Sequence, residues 1–84
     1  MSRFIAKVDV MPKQGISDPQ GQTIERALPA LGLEGISAVR VGKSISFQVD
    51  APDEDEARRR AGEVCDRLLA NPVLESFNLV VLPP

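Results

Sequence analysis

Apolar and polar positions alternate from the start of the chain. Phe4, Ala6, Val8 and Val10 are interleaved with Lys7 and Asp9, a period of two that predicts a strand with one buried face. Pro12 ends it, and Lys13-Gln14-Gly15-Ile16-Ser17 reads as a loop. The period then changes. Asp18-Pro19 opens a helix, with an aspartate to accept an orphan backbone N–H and a proline where none is needed. Ile24, Ala27, Leu28 and Leu31 follow at helical spacing, and Gly32 supplies a left-handed stop. Pro29 interrupts this helix and removes a bond to the Glu25 carbonyl, so the last turn is expected to kink or loosen.

Two further strands are expected over Ile36–Val41 and Ser44–Asp50, the latter with Ile45, Phe47 and Val49 on one face. Gly42-Lys43 between them suits a tight hairpin with a positive-φ glycine. The second helix is acidic at its start, Pro52-Asp53-Glu54-Asp55-Glu56, where the helix dipole favours negative charge. Arg58, Arg59 and Arg60 sit four residues after Glu54, Asp55 and Glu56, in the favourable orientation for ion pairs. Ala57, Ala61, Val64, Leu68 and Leu69 form its expected buried stripe, and Asn71-Pro72 its stop. A last strand, about Ser76–Leu82, precedes Pro83-Pro84. The order β-α-β-β-α-β predicts a two-layer, ferredoxin-like α+β fold, an antiparallel sheet with two helices on one face.

That architecture leaves one sheet face bare, and in a monomer it should be polar. Here Ile5, Met11, Val80 and Leu82 all fall on it, on strands expected to be neighbours. Terminal fraying or stray surface apolar residues would be the bland explanation. A shared apolar patch favours an interface, so these four residues form the candidate face for self-association.

Composition narrows the chemistry. With 84 residues there is room for one core, and a chain this size often needs an additional staple. Cys65 is the single cysteine and there is no histidine, which excludes an internal disulfide and argues against structural zinc. It also excludes the Ser-His and Cys-His pairs of nucleophilic catalysis. Cys65 itself reads as a small core residue. The net charge of −2 speaks against nucleic acid or an anionic membrane as partner. No apolar run approaches the roughly 20 residues of a membrane span, and the N-terminus lacks the pattern of a secretory signal. A cytoplasmic location is expected. Gly42-Lys43 lacks the upstream glycine of a phosphate-binding loop. Lys13 lies near a helix N-terminus of the kind that holds anions, but Asp18 already occupies that end. Gly21 in the first turn costs roughly 1 kcal/mol against alanine and points to close backbone approach, within the fold or to a partner.

Several segments together carry a family resemblance: Asp18-Pro19-Gln20-Gly21, Ala27-Leu28, Leu31-Gly32, Val39-Arg40-Val41-Gly42-Lys43, and Cys65-Asp66-Arg67-Leu68-Leu69-Ala70-Asn71-Pro72-Val73. In this order and spacing they resemble the PurS family, the small subunit of phosphoribosylformylglycinamidine synthase. Pro29 and the arginine-rich, aromatic-poor second half depart from the family's usual look. The resemblance implies one PurS-like domain over residues 1–84. It also implies a non-catalytic subunit of an ATP- and glutamine-dependent C–N ligase of de novo purine biosynthesis, in which ammonia from glutamine converts formylglycinamide ribonucleotide to its amidine. The implied partners are a second copy of the chain, the synthetase subunit (PurL) and the glutaminase subunit (PurQ). The implied complex uses ATP, Mg and glutamine, with no cofactor on this chain. By the same likeness Asp18, Gln20, Gly21, Arg40, Lys43, Asn71 and Pro72 are candidate subunit contacts. A rival from another class is a small regulatory amino-acid-sensing (ACT-like) domain, which shares the strand–helix order. An RNA-binding module would need exposed aromatics and a basic surface, and this chain has three phenylalanines and a negative balance.

Overall fold

A computed structural model describes residues Met1–Pro84. It contains strand β1 (Ser2–Pro12), helix α1 (Pro19–Ala27), a 3-10 turn (Pro29–Leu31), strand β2 (Lys43–Ala51), helix α2 (Glu54–Val64), a π-helical turn (Cys65–Leu69) and strand β3 (Glu75–Leu82). The sheet is antiparallel in the order β2-β1-β3. The α+β, helix-on-sheet class expected from the alternating pattern holds.

The central strand carries the core. Phe4, Ala6, Val8 and Val10 are all buried. On the same face the register sets Phe4 against Val49, Ala6 against Phe47 and Val81, and Val8 against Ile45 and Leu79. Above them α2 lays down a ridge of small side chains, Ala57, Ala61 and Cys65, at four-residue intervals and each fully buried. This ridge replaces the expected stripe. Ala57, Ala61 and Leu69 keep their inward positions, but Val64 is 37 % exposed and Leu68 79 %. The cause is angular: Val64 lies one residue, about 100°, before buried Cys65, and Leu68 one residue before half-buried Leu69. The π-turn, closed by the Ala70 amide on the Cys65 carbonyl, then brings Leu69 rather than Leu68 against the sheet.

Pro29 acts as its chemistry requires. α1 ends at Ala27, the Leu28 amide reaches the Glu25 carbonyl that Pro29 cannot, and the chain tightens into the 3-10 turn. Gly32 closes that turn at φ 77°. Asn71 stops the second helix by a different device from the left-handed one expected. Its backbone is not at positive φ; its Oδ1 accepts from the Val73 amide at 3.0 Å and its carbonyl accepts from Leu74 and Glu75.

The largest departure lies between the helices. Ile36–Val41 is not a strand, and Gly42-Lys43 is not a hairpin turn. The amides of Val39 and Val41, alternate residues that a ladder would use, donate instead to the carboxylates of Glu25 and Asp18 at 2.9 and 2.8 Å. Gly35 at φ 81° and Ala38 at φ 56° bend the segment further from extended geometry. Gly42 has ordinary negative φ; a Cβ there would run into the Val10 carbonyl and the Met11 side chain.

As a result α1 does not lie beside α2 on the sheet. Residues 16–41 form an arm in which Gly21 is the single buried position. The chain measures 53 × 26 × 14 Å with a radius of gyration of 16.6 Å. A compact chain of this length would have about 12 Å. The arm therefore projects beyond the sheet, carrying Ile24, Leu31, Leu33 and Ile36 exposed.

Ion pairs line the outer side of α2. Glu54 pairs with Arg58 and Glu56 with Arg60, as the spacing predicts, while Arg59 turns to Glu56 and Glu63 rather than to Asp55. Hydrogen bonds from Arg59 and Arg60, with their charge, hold the Glu56 carboxyl down at about 2. The folded value lies below the ordinary 4.5, so this contribution to stability is complete above that pH and drains away as pH falls toward 2. Urea midpoints measured from pH 5 to pH 2 should fall less steeply for Glu56→Gln than for the unsubstituted chain. Parallel slopes would show the pair adds nothing to acid stability.

Candidate functional site: the joint between arm and sheet

Four of the seven candidate contact residues, Asp18, Gly21, Arg40 and Pro72, converge where the arm leaves the sheet. The Asp18 carboxylate accepts from the Gly21 amide at 3.0 Å through Oδ1 and from the Val41 amide at 2.8 Å through Oδ2. One side chain thus caps α1 and fastens the returning segment to it. These two N–H donors favour the anion and hold the Asp18 carboxyl below the usual range. Gly21 allows this closure, since a Cβ would collide with the Val39 carbonyl and the Asp18 carboxylate. Next along the segment, Arg40 donates through Nη2 to the carbonyls of Pro12 and Lys13, the latter at 2.9 Å. Arg40 therefore binds the arm to the end of β1.

The same corner receives the chain that enters β3. The Lys13 amide donates to the Leu74 carbonyl at 2.8 Å, and Lys13 Nζ donates to the Pro72 carbonyl at 2.7 Å. Pro72 is thus reached from the joint, while Asn71 serves the adjoining turn and donates its amide to Glu75 Oε1 at 2.8 Å. Gln20 and Lys43 are exposed and border a shallow recess with Val10, Val41 and Glu75. Sequence reasoning picked out Asp18, Gly21 and Arg40, and placed Lys13 near the same helix start, but missed Glu25 as their companion. A signal was present for Glu25: it lies seven residues from Asp18, two helical turns, and so on the same face.

The candidate self-association face is only partly assembled. Ile5 stands opposite Leu82, and Val80 opposite Lys7, so these three apolar residues do meet on the outer sheet surface. Met11 does not join them. It faces Ser76, lies beyond Lys7 and Asp9 along β1, and its side chain approaches Gly42 at the joint. The rest of that surface is polar, with Ser44, Ser46, Gln48 and Asp50 from β2.

No group of three acidic or thiol side chains is arranged to hold a metal ion. Cys65 is fully buried, and burial, aided by the charge of Asp66, pushes its thiol up and away from the nucleophilic thiolate. No helix is long and apolar enough to cross a membrane. What the geometry offers is shape: a rigid sheet, a latched arm and an apolar outer patch.

Residues 5–83 match the family model of PurS, phosphoribosylformylglycinamidine (FGAM) synthase. The chain belongs to the PurS family. It is 38 % identical over 74 residues to the PurS subunit of Synechocystis sp., covering 88 % of this chain and 74 % of the relative. To the PurS subunit of Archaeoglobus fulgidus it is 36 % identical over 77 residues, covering 92 % of this chain and 96 % of that one. A solved structure of PurLQS from Thermotoga maritima contains a chain that superposes with a TM-score of 0.88 at 34 % identity, covering 98 % of this chain and all of that one. The arm is therefore part of a shared PurS shape. With the family established, the amino-acid-sensing alternative falls away.

Proposed function

We propose that this chain is the non-catalytic small subunit of a cytoplasmic phosphoribosylformylglycinamidine synthase. It associates with itself and bridges the glutaminase and synthetase subunits. The observation that carries the reading is the superposition, over nearly the whole chain, on a subunit of the PurLQS assembly. The residue inventory agrees with it. A chain with no histidine and one buried thiol brings little acid–base or nucleophilic chemistry, whereas an elongated arm-and-sheet shape can touch two bodies at once.

Bridging has a physical use in this reaction. Ammonia released from glutamine must reach the activated amide before it is protonated or lost to bulk water. Holding the two active sites in fixed relation raises the effective concentration of one at the other. ATP, Mg and glutamine belong in this reading to the other subunits, and no cofactor is assigned here. The joint residues Asp18, Gly21 and Arg40 set the angle of the arm, while exposed Gln20 and Lys43 are free to meet a partner. The Ile5–Val80–Leu82 patch supplies the surface for self-association.

The decisive measurement compares two nitrogen sources in the reconstituted complex. Omitting this chain should lower glutamine-supported turnover by roughly tenfold or more, the scale of a lost tethering effect, and ammonia-supported turnover far less. Equal losses, or full glutamine-supported turnover without it, would contradict the bridging role.

A further inference from the structure

We infer that Arg40 is a positioning residue for the complex: its guanidinium clamps the arm at a fixed angle to the sheet, and that angle keeps glutamine hydrolysis coupled to amidine formation. This rests on the bridging role proposed above and gives Arg40 a task that Asp18 and Gly21 do not share. The carboxylates of Asp18 and Glu25 accept from the amides of Gly21, Val39 and Val41, all within residues 16–41. The Thr23 hydroxyl likewise stays on the Pro19 carbonyl. These bonds fold the arm on itself and leave its direction open. Arg40, donating to the carbonyls of Pro12 and Lys13, is the one arm side chain that hydrogen-bonds outside the arm.

Packing does not supply that restraint. Gly21 is the single buried position of the arm, and its closest neighbours are the arm's own Val39 and Asp18. The remaining backbone tie is local, the Ile16 amide on the Lys13 carbonyl. Two chain crossings join arm to sheet, one through Gly15 at φ 86° and one through Gly42. Short crossings of this kind are where hinges form, because a few residues can absorb the change in dihedral angle. A clamp across them is what fixes the angle.

The anchor on the sheet side is firm. The Lys13 amide donates to the Leu74 carbonyl at 2.8 Å, and Lys13 Nζ to the Pro72 carbonyl at 2.7 Å. The grip thus passes from the returning arm segment, through the end of β1, to the chain entering β3. Both carbonyls that Arg40 takes lie past Val10 and Lys43, the last pair of β1 with β2, so that ladder does not claim them. The donor type matters. One planar, permanently charged guanidinium spans two successive carbonyls, whereas a lysine ammonium is a mobile point charge and a looser clamp. Arg40 is itself exposed, so its removal opens the clamp without emptying any core. With the arm free to swing, both larger subunits stay bound but their active sites lose alignment. Glutamine is still hydrolysed, and its ammonia escapes to water instead of displacing the activated oxygen.

The test compares Arg40→Ala and Arg40→Lys in the full chain, free and in the reconstituted three-subunit complex. Spin labels at Glu34→Cys on the arm and Asp55→Cys on α2, both exposed sites, read the arm's angle when diluted with unlabelled chain. The distance distribution should be narrow with Arg40, broad in Arg40→Ala and intermediate in Arg40→Lys. The Gly21 and Val41 amides should stay protected from exchange in both variants, because the arm's own bonds are intact. In the complex, Arg40→Ala at saturating concentration should lower glutamine-supported turnover by roughly tenfold and release glutamate in excess over amidine, the scale of a small misplacement. Ammonia-supported turnover should hold, and Arg40→Lys should restore part of the coupling. An unchanged distance distribution overturns the assignment, as does a broadened one with glutamate and amidine still formed in equal amounts. Full recovery at saturating concentration would make Arg40 a plain contact, and loss of the sheet signal in circular dichroism for both variants would make it a folding residue; each overturns it too. The bridging role survives all of these while omitting the chain still costs glutamine-supported turnover. If omission costs nothing, both readings fall.

Discussion

Gly21→Ala should destabilise the protein, although alanine in a helix ordinarily gains about 1 kcal/mol over glycine. The gain assumes room for a methyl group. At Gly21 that methyl would overlap the Val39 carbonyl and the Asp18 carboxylate, the two groups that close the joint. Neither is the loose end of a long side chain. Asp18 is fixed by two amides, and the Val39 amide is held by Glu25. Something must shift, and overpacking of this kind costs about 1–3 kcal/mol. Gly62, in the interior of α2, is the natural control, because nothing lies within 4 Å of where its Cβ would stand. Gly62→Ala should therefore stabilise by about 0.5–1 kcal/mol. Denaturant midpoints at one fixed protein concentration would show the two alanines moving stability in opposite directions. A gain at both positions would mean that the arm is not latched as described. The amides of Gly21 and Val41 should also exchange faster in Gly21→Ala, a local signature that a general loss of stability would not single out.

Ala61→Leu should be the most damaging single change in the sheet–helix layer. Ala61 is fully buried among Phe4, Ala6, Val49, Ala51, Ala57 and Val81, a cluster in which four of the seven side chains are alanine. Such small groups let the α2 backbone settle close to the strands. Three added carbons have no space to enter, and α2 must lift from β1 at a cost of about 1–3 kcal/mol or more. A chain of this size has roughly 4–12 kcal/mol in all, so the loss is a large fraction. It would appear as a drop in melting temperature of roughly 4–8 °C per kcal/mol. Leu68→Ala gives the opposite contrast. Leu68 is 79 % exposed, and its removal should change stability by no more than about 0.5 kcal/mol. Were Leu68→Ala to cost as much as a core deletion, the ridge of Ala57, Ala61 and Cys65 would be the wrong face of the helix.

These two changes also mark where the chain was readable in advance. Strand β1 was legible because period-two alternation has no other good solution: shifting it by one residue would bury Lys7 and Asp9. The opening of α1 was legible from Asp18-Pro19, and the loosening of its end from Pro29, because both are local backbone effects. The inward face of α2 was only half legible. Alanine, valine, leucine and cysteine are spread around that helix, and composition alone does not say which apolar line turns inward. The answer depended on the wide π-turn at Cys65–Leu69 and on how near α2 lies to the sheet.

The arm was the part that local pattern misjudged. Ile36–Val41 has a strand-like composition, yet its amides found carboxylates on α1 before they could find another strand. Side-chain acceptors compete with ladder acceptors on equal chemical terms, and nearness decides between them. The candidate contacts shared that ambiguity. Asp18, Gly21 and Arg40 were identifiable as unusual, but their convergence with Lys13 and Pro72 joins residues as far apart in sequence as 59 positions.

From the sequence alone come the α+β class, the central strand and its buried face, the punctuation of the helices, the poverty of reactive groups and the resemblance to PurS. All are properties of neighbours along the chain or of composition. The tertiary structure decided that α1 stands away from the sheet, that Met11 leaves the apolar outer patch, and that β2 is an edge strand. Each of these turns on which distant group reaches a backbone N–H or fills a face first, and periodicity carries no record of that competition.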